Sequence, residues 1–376
     1  MNIIYVSCLY GKNVDVLYKK NKPGQQVQIF NRLIVDGLLK NDVNVLCRSV
    51  VPTSRDLIDK TFYKVKNDNN ISYYLIVNIP FLKDIIIIFK SFFITLFEII
   101  FRKNVYYVCD VLSTSNALGT VMACKLLKYD FTGIITDIPE YFSDSKLFIK
   151  ITHFIIKNCT KYVFLTEKMN DVLNEKNKPY VVIEGMCSSF PTINERRNKS
   201  IIYAGSIDKI NGINNLTEAY NMMDTDYELH IYGEGDYEEE LRNISKTNDK
   251  IHFFGRVSHD IIQKEIQKAS FLINPRPNDL ELVKYSFPSK TIEYLASGTP
   301  FISTNLPCYP SEYLQYINIL NGYTPNEIYD GLNYYLSVDY KELKNKALRG
   351  KEFVLNEKNN KVQTHKIINL MEGEEK

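Results

Sequence analysis

Short apolar runs alternate with helical segments along the chain, and this alternation restricts the fold more than any other feature. The run 3–6 is followed by apolar residues at helical spacing over 27–38. The same periodicity predicts a further helix at 117–127 and strands at 43–46, 105–108, 133–136, 161–165 and 181–183. Strands that alternate with helices form parallel sheets covered by helices on both faces. The predicted fold class is therefore α/β.

The alternation starts again after a polar segment at 192–199, which predicts an interdomain linker. In this second half three predicted strands end in glycine: Gly205, Gly233 with Gly235, and Gly255. Ligands of open parallel sheets bind beyond the carboxyl ends of the strands, where a missing side chain lets a phosphate approach backbone N–H groups. A tight turn explains any one of these glycines alone, but three in register favour an anion site.

The length of 376 residues suits two domains. We predict two Rossmann-like domains, an N-terminal one at 1–190 and a C-terminal one at 191–376. A last helix, at about 350–372, is a candidate to cross back to the first domain.

Composition excludes several classes of protein. The formal net charge of +2 lacks the basic surplus of a nucleic-acid-binding protein. Seven scattered cysteines without a C-x-x-C pair predict reduced thiols, and five histidines without ligand spacing predict no metal site. No secretion signal is visible at the N-terminus, so a cytoplasmic location is expected.

The most apolar segment, 85–101, is too short for the roughly 20 apolar residues that a membrane span needs. On a helical wheel one side collects the polar residues Asp84, Lys90, Ser91, Thr95, Glu98 and Arg102. Two interpretations stay open. The helix is either buried in the first domain or also touches the cytoplasmic face of a membrane as a peripheral contact.

The most informative local pattern is YSFPSKTIEYLASGTP at 285–300. Pro288 suits the first turn of a helix, Ser286 can act as its N-cap, and Gly298 can end it. One side of this helix would dock on the sheet through Ile292, Leu295 and Ala296. The other side would carry Ser286, Ser289, Lys290 and Glu293. Serines and a lysine at a helix N-terminus favour an anion, and a glutamate can accept two sugar hydroxyls; a merely solvated polar face is the alternative.

The strings YAGS at 203–206, HIYGEG at 230–235 and FFGRV at 253–257, together with 285–300, resemble the nucleotide-sugar domain of family 4 of the retaining glycosyltransferases. Members of that family have the GT-B fold, in which two Rossmann-like domains face each other across a cleft. In the first half, 137–141 and 165–170 resemble the acceptor-side domain of bacterial members that build surface polysaccharides.

The resemblance implies a set of site residues in this chain. Donor binding would involve Gly24, Gln25, Gly205, Ser206, Gly233, Gly235, Arg256, Tyr285, Ser286, Phe287, Pro288, Ser289 and Glu293. Catalysis would involve Asp137, Lys209 and Lys290. Asp137 stands near the place where many members have a histidine that touches the sugar, and it would position the acceptor or stabilise positive charge at the anomeric carbon. A cap for the next turn is an equally good interpretation of Asp137.

The chain departs from the family pattern at two places. Glu293 matches the second glutamate of the E-x7-E motif, which holds the ribose, but Tyr285 occupies the place of the first, which contacts the donor sugar. Either Tyr285, Ser286 or Glu281 takes over, or the donor differs from the common hexoses. Ser206 and Asn211 replace the basic residues of the diphosphate clamp, so Lys209 and Lys290 are predicted to supply the charge that the leaving diphosphate requires.

The resemblance implies a metal-independent, retaining glycosyltransferase without a cofactor. A UDP- or GDP-linked sugar would be its donor, and a carbohydrate or polyprenyl-linked oligosaccharide its acceptor, in the synthesis of capsular, exopolysaccharide or other surface glycans. The replacements at Tyr285 and Ser206 leave an alternative open, a non-catalytic GT-B binding or regulatory subunit. A nicotinamide dehydrogenase is disfavoured because 7–22 contains only Gly11 and no G-x-G-x-x-G.

Overall fold

The computed structural model describes residues 1–18, 23–54, 56–102, 104–190 and 198–373, so most of the predicted linker at 192–199 lies outside the described residues. The chain divides into two compact units. The first comprises Met1–Met186 and Asn360–Lys376, and the second comprises Cys187–Asn359.

The first unit contains a seven-stranded parallel sheet and a two-stranded antiparallel ribbon. Its strands are β1 (Asn2–Ser7), β2 (Asn44–Ser49), β3 (Phe62–Tyr63), β4 (Ile71–Tyr73), β5 (Ile76–Val77), β6 (Val105–Asp110), β7 (Phe131–Ile135), β8 (Lys161–Phe164) and β9 (Tyr180–Val182). Its helices up to β9 are α1 (Lys12–Asp15), α2 (Gln25–Lys40), α3 (Leu82–Phe101), α4 (Thr114–Leu127), α5 (Pro139–Phe142), α6 (Lys146–Asn158) and α7 (Glu167–Leu173). The sheet order is β4-β2-β1-β6-β7-β8-β9, and β3 pairs with β5.

The second unit is built on a six-stranded parallel sheet of order β12-β11-β10-β13-β14-β15. Its strands are β10 (Ser200–Ala204), β11 (Glu228–Tyr232), β12 (Ile251–Gly255), β13 (Phe271–Asn274), β14 (Phe301–Thr304) and β15 (Asn318–Leu320). Its helices are α8 (Ile213–Asn221), α9 (Glu238–Thr247), α10 (His259–Lys268), α11 (Lys290–Ser297), α12 (Ser311–Leu314), α13 (Pro325–Ser337) and α14 (Tyr340–Glu357). Short 3-10 turns occupy Lys209–Asn211 and Glu281–Lys284.

Strand β10 shows why this sheet needs helices on both faces. Ile202 and Ala204 join one buried cluster, whereas Ile201 and Tyr203 join another on the opposite face. A strand with apolar side chains on both faces buries both of them. The predicted α/β fold class with parallel sheets is confirmed.

Helix α15 (Asn360–Glu372) follows the second unit along the chain but packs in the first, where it contacts α2. Ile367 and Leu370 belong to the same buried cluster as Ile34 and Leu38 of α2. The close approach requires a glycine, because a Cβ on Gly37 would lie 2.3 Å from the carbonyl oxygen of Asn360.

Helix α3 is oriented differently from a helix buried through its apolar face. Its polar residues Ser91, Thr95 and Glu98 are buried, while apolar side chains that recur every four residues are exposed: Phe81 just before the helix, then Ile85, Phe89, Phe93, Phe97 and Phe101. Of the two interpretations left open for this helix, complete burial in the first domain does not agree with these exposed side chains. Among the described residues no helix combines the length and hydropathy of a membrane span.

The buried side of α3 is polar because of its close packing on α4. A Cβ on Gly119 of α4 would lie 2.0 Å from Ser91 Oγ, so only a glycine opposite a small side chain allows this approach. Farther along, Glu98 pairs with Arg48 and accepts a hydrogen bond from the Tyr107 hydroxyl at 3.3 Å. These partners compensate the desolvation of a buried carboxylate.

Candidate functional site

The strand order of the second unit defines where a ligand of this fold binds. Strand β10 lies between β11 and β13, so the connections leave β10 toward one side of the sheet and later return on the other. Ligands of open α/β sheets bind beyond the carboxyl ends of the strands at such a point. Gly205 follows β10 directly, and the start of α11 lies beside it.

Gly205 and Lys290 are in direct contact at this point. Gly205 has a φ of +157°, and a Cβ built on it would lie 2.5 Å from Lys290 Nζ. The Lys290 ammonium also lies 3.9 Å from the centre of the Tyr203 ring. Glycine suits this position because a side chain would displace the lysine ammonium and because L residues rarely adopt this φ.

A second cation, Arg276, acts on Lys290. Burial, and then the charge of Arg276, lower the pKa of Lys290 to about 7. Arg276 comes two residues after β13, is only 8% exposed, and donates from Nη1 to the Ser286 carbonyl at 3.4 Å. Two cations held near each other at the carboxyl end of a sheet repel each other, and a bound anion would offset this repulsion.

The sequence analysis missed Arg276. Its signal is the string NPRP at 274–277, which places an arginine between two prolines directly after β13. Prolines fix the backbone and hold such a side chain at the strand end.

Glu293 lies on α11 one turn after Lys290 and contacts a residue that the sequence analysis also missed. Its Oε1 is 2.5 Å from Nε2 of His259, the first residue of α10. This hydrogen bond is the main reason why the pKa of His259 is raised. Both side chains are about one-third exposed, so the Glu293 carboxylate is oriented by His259 and still open to hydroxyl groups of a ligand.

The start of α11 differs from the prediction. The helix begins at Lys290 with Ser289 as N-cap, and Ser289 makes no side-chain cap bond. Ser286 and Pro288 therefore precede the helix. They lie in the segment 286–289, which connects the 3-10 turn to α11. Gly298 ends the helix with a φ of +70°, as predicted.

The two sides of α11 follow the predicted division. Ile292, Leu295 and Ala296 are buried, whereas Ser289 is exposed and Lys290 and Glu293 are half-buried. Phe287 is also buried, packed against the rings of Tyr309 and Tyr313, and Pro288 is buried beside it. These two side chains support the site from the core and do not line it.

Tyr285, in place of the motif's first glutamate, is linked to a carboxylate. Its hydroxyl donates to Glu281 Oε1 at 3.0 Å, and Lys284 Nζ lies 2.6 Å from Glu281 Oε2. These two hydrogen bonds lower the pKa of Glu281. The structure thus places an ionised carboxylate next to the tyrosine.

The glycines after β11 serve loop packing. A Cβ on Gly233 would lie 1.8 Å from the Gly205 carbonyl oxygen, and one on Gly235 would lie 2.6 Å from the Ile207 carbonyl oxygen. The Ile207 amide donates to the Glu234 carbonyl at 3.0 Å, which ties the two loops together. The exposed Ser206 is held by its carbonyl, which accepts from the Tyr203 hydroxyl at 2.6 Å.

The other predicted cations have different surroundings. Arg256 Nη1 pairs with Glu234 Oε1 at 2.7 Å. Lys209 is exposed, and its Nζ lies 5.7 Å from the centre of the Tyr237 ring. The described contacts therefore bring Arg276, rather than Lys209, to Lys290.

The first unit holds the remaining predicted residues. Gly24 is the N-cap of α2 with a φ of +60°, and Gln25 is the first residue of that helix. Nothing is described of the Gln25 side chain. Asp137 is half-buried, two residues after β7 and two before α5. It stands at a strand end, as predicted, and its role stays a prediction.

Comparison with known proteins bears on this site. Residues 198–328 match the model of the family described as glycosyl transferases group 1. This stretch is a glycosyltransferase domain. It contains Gly205, Arg276, Lys290 and Glu293. The search of curated proteins gives no match.

Solved structures match the whole chain at low sequence identity. A sucrose-phosphate synthase from Thermosynechococcus elongatus has a TM-score of 0.69 at 14% identity and covers 99% of each chain. HepE of Anabaena, solved with UDP, has a TM-score of 0.69 at 12% identity and covers 99% of this chain and 100% of its own. The lipopolysaccharide outer core galactosyltransferase WaaB has a TM-score of 0.60 at 15% identity and covers 100% of both chains. The fold of the chain is GT-B.

Proposed function

We propose that this protein is a retaining glycosyltransferase that transfers a sugar from a nucleoside-diphosphate donor to a carbohydrate or lipid-linked acceptor in surface-glycan synthesis. The observation that carries the proposal is the placement of Lys290 against Gly205, with Arg276 nearby, at the carboxyl end of β10. UDP in the HepE structure supports a UDP-linked donor, and the WaaB likeness supports a glycan acceptor.

In this proposal Lys290 and Arg276 bind the diphosphate and Glu293 binds the ribose. The bond from the anomeric carbon to the diphosphate oxygen breaks, and the acceptor hydroxyl oxygen forms its bond on the same face of the sugar. The hydroxyl proton passes to the departing phosphate oxygen. Fixed positive charge favours this step because negative charge develops on the diphosphate as it leaves. The cations of the chain itself fill the role that a metal ion would otherwise take, so we propose metal-independent transfer.

Incubation with a panel of UDP- and GDP-linked sugars tests the function. We expect release of UDP or GDP with one donor, dependent on an added glycan or polyprenyl-linked acceptor and undiminished by a chelator. Retention of the anomeric configuration in the product, read by NMR, tests the stereochemistry. Tight nucleotide binding without turnover over the whole panel would instead favour a binding or regulatory subunit, to which the Tyr285 replacement points. Absence of nucleotide binding would contradict both.

We further propose that α3 contacts the surface of an anionic membrane, where a lipid-linked acceptor would be held. Phe89 and Phe93 are 61% and 49% exposed, and α4, which packs on α3, adds the exposed Met122 and Leu126. The exposed charged side chains on α3 and its C-cap, Lys90 and Arg102, are both basic, whereas Glu98 is buried. Exposed apolar residues bordered by basic ones are typical of helices that lie at a membrane interface. A peripheral location on the cytoplasmic face follows from this proposal.

Sedimentation with phosphatidylglycerol–phosphatidylcholine vesicles tests the membrane contact. The double variant Phe89→Glu, Phe93→Glu is expected to partition roughly tenfold or more weakly than the wild type, because two exposed aromatic rings no longer enter the interface. Leu348→Glu changes an exposed leucine of α14 in the second unit and is the matched control. Circular dichroism verifies folding of all three proteins. Equal sedimentation of the double variant and the wild type would exclude α3 as the contact.

A further inference from the structure

A cluster of three metal-ligating side chains lies on strands β11 and β12 of the second unit. Glu228 and His230 are two residues apart on β11 and so project from the same face. His252 of β12 is the register partner of His230, and the two imidazole rings meet edge to face with centres 5.3 Å apart. Strand pairing thus assembles a group that is spread over 25 residues of sequence.

Both histidines approach the same carboxylate oxygen of Glu228. Glu228 Oε2 is 2.9 Å from His230 Nε2 and 3.5 Å from His252 Nε2. The three potential ligand atoms all lie within 4.8 Å of one another. A tetrahedral ion with bonds of about 2.0–2.1 Å needs ligand atoms about 3.3 Å apart. Small side-chain rotations would therefore suffice to place all three around one ion.

We infer that this cluster is a binding site for a divalent transition metal ion such as Zn²⁺, with Glu228, His230 and His252 as its ligands. Two imidazoles and one carboxylate suit Zn²⁺, Cu²⁺ or Ni²⁺, whereas Mg²⁺ and Ca²⁺ prefer all-oxygen sites. Three protein ligands leave the fourth position to water.

The site is accessible from solvent. The side chains of Glu228 and His252 are 49% and 38% exposed. The side chain of His230 is only 13% exposed and lies on the buried side of the cluster. The ligand atom of the outer histidine, His252 Nε2, is buried and makes no hydrogen bond within the described part of the chain, so it is available to an ion that Glu228 admits from solvent. The sequence predicts no metal site because none of its histidines has ligand spacing, and only the pairing of β11 with β12 reveals the cluster.

The position of the cluster gives the ion a structural role. Strand β12 is at the edge of the sheet, and its pairing with β11 is irregular between Ile231 and Tyr232. An ion that links both strands would stabilise this edge. Glu228 is the first residue of β11, and Gly233 directly follows the last one, at the end of the sheet where the nucleotide site is proposed. The two residues are about 16 Å apart along the strand. Metal binding should therefore leave nucleotide binding unchanged.

Titration of the chelator-treated full-length protein with Zn²⁺ tests the site. By calorimetry we expect one Zn²⁺ per chain to bind the wild type at this site, and His252→Gln to bind this ion at least about tenfold more weakly. Zn²⁺ should raise the Tm of the wild type more than that of the variant. Co²⁺ as a probe should give the visible absorption of a tetrahedral site only in the wild type. His252 is exposed on an edge strand, so its replacement is compatible with folding.

His153→Gln is the matched control, because His153 is an exposed histidine paired with a single glutamate, Glu140, at 2.6 Å. This control should bind Zn²⁺ as the wild type does. Equal Zn²⁺ binding by the wild type and His252→Gln, or no binding by the wild type, would overturn the inference. A change in UDP or GDP affinity on removal of Zn²⁺ would overturn the structural role.

Discussion

Lys290→Met is expected to weaken UDP or GDP binding roughly 10- to 100-fold and to slow sugar transfer roughly 10²- to 10³-fold. The substitution removes the ammonium that lies against Gly205 but keeps an unbranched side chain over the Tyr203 ring. Calorimetry with whichever nucleotide the wild type binds more tightly, and initial rates with the active donor, measure the two effects.

Stability separates a functional loss from a structural one. The folded-state pKa of Lys290 is lowered to about 7, below its ordinary value, so the charged side chain destabilises the fold most below pH 7. Lys290→Met should therefore melt at or above the Tm of the wild type at pH 6.5. Lys246→Met is the matched control, because the same charge is removed from an exposed position in the last turn of α9, and it should retain nearly wild-type affinity. Equal losses in both variants would contradict the assignment to Lys290.

The low pKa of Lys290 also predicts a pH dependence of binding. Below about pH 7 the side chain is charged in the free protein, and nucleotide affinity should be nearly constant. Above this pH the free lysine is neutral and must take up a proton when the diphosphate binds, so affinity should fall by up to about tenfold per pH unit. Calorimetry in two buffers of different ionisation enthalpy measures the proton uptake at pH 8. Lys290→Met should show none, and an uptake equal to that of the wild type would assign the proton to another group.

Glu293→Ala is expected to reduce nucleotide affinity roughly 100-fold or more, because two charge-assisted hydrogen bonds to ribose hydroxyls would be lost. The fold should persist, since the side chain is about one-third exposed and pairs with the similarly exposed His259. The pKa of His259, which the Glu293 hydrogen bond raises, should fall in the variant. Calorimetry and an NMR titration of the imidazole measure the two changes.

Deoxyribose analogues make the ribose assignment specific. The wild type should bind the 2′-deoxynucleotide more weakly than the parent nucleotide, whereas Glu293→Ala should bind the two equally. His259→Gln keeps a hydrogen-bond donor to Glu293 and is the control, expected to retain most of the affinity and the discrimination. Unchanged affinity in Glu293→Ala would contradict the site assignment.

The sequence predicts those parts of the site that depend on local order along the chain. Strands that end in glycine, and Lys290 and Glu293 at a spacing of one helical turn, can be read from apolar periodicity and turn residues alone. Arg276 and His259 could not be predicted in the same way. They reach Lys290 and Glu293 from β13 and α10, and only the order of strands in the sheet makes them neighbours.

Helix α3 shows a different limit of sequence patterns. Periodicity identifies its two faces but does not say which one packs on the protein. Here Gly119 on α4 allows an approach so close that Ser91 and Thr95 fit where phenylalanines could not. A complementary glycine on another helix, 28 residues away from Ser91, decides the orientation.

The return of α15 to the first unit also sets an order for folding during synthesis. The second unit is a continuous segment, Cys187–Asn359, and can be completed while the ribosome is still translating. The first unit has to wait, because Ile367 and Leu370 of α15 belong to its core. Until α15 emerges, the apolar face of α2 that it covers stays open to water. A chain that ends prematurely near Asn359 would thus have a complete second unit and an incomplete first unit, and it would be a target for chaperones and proteases.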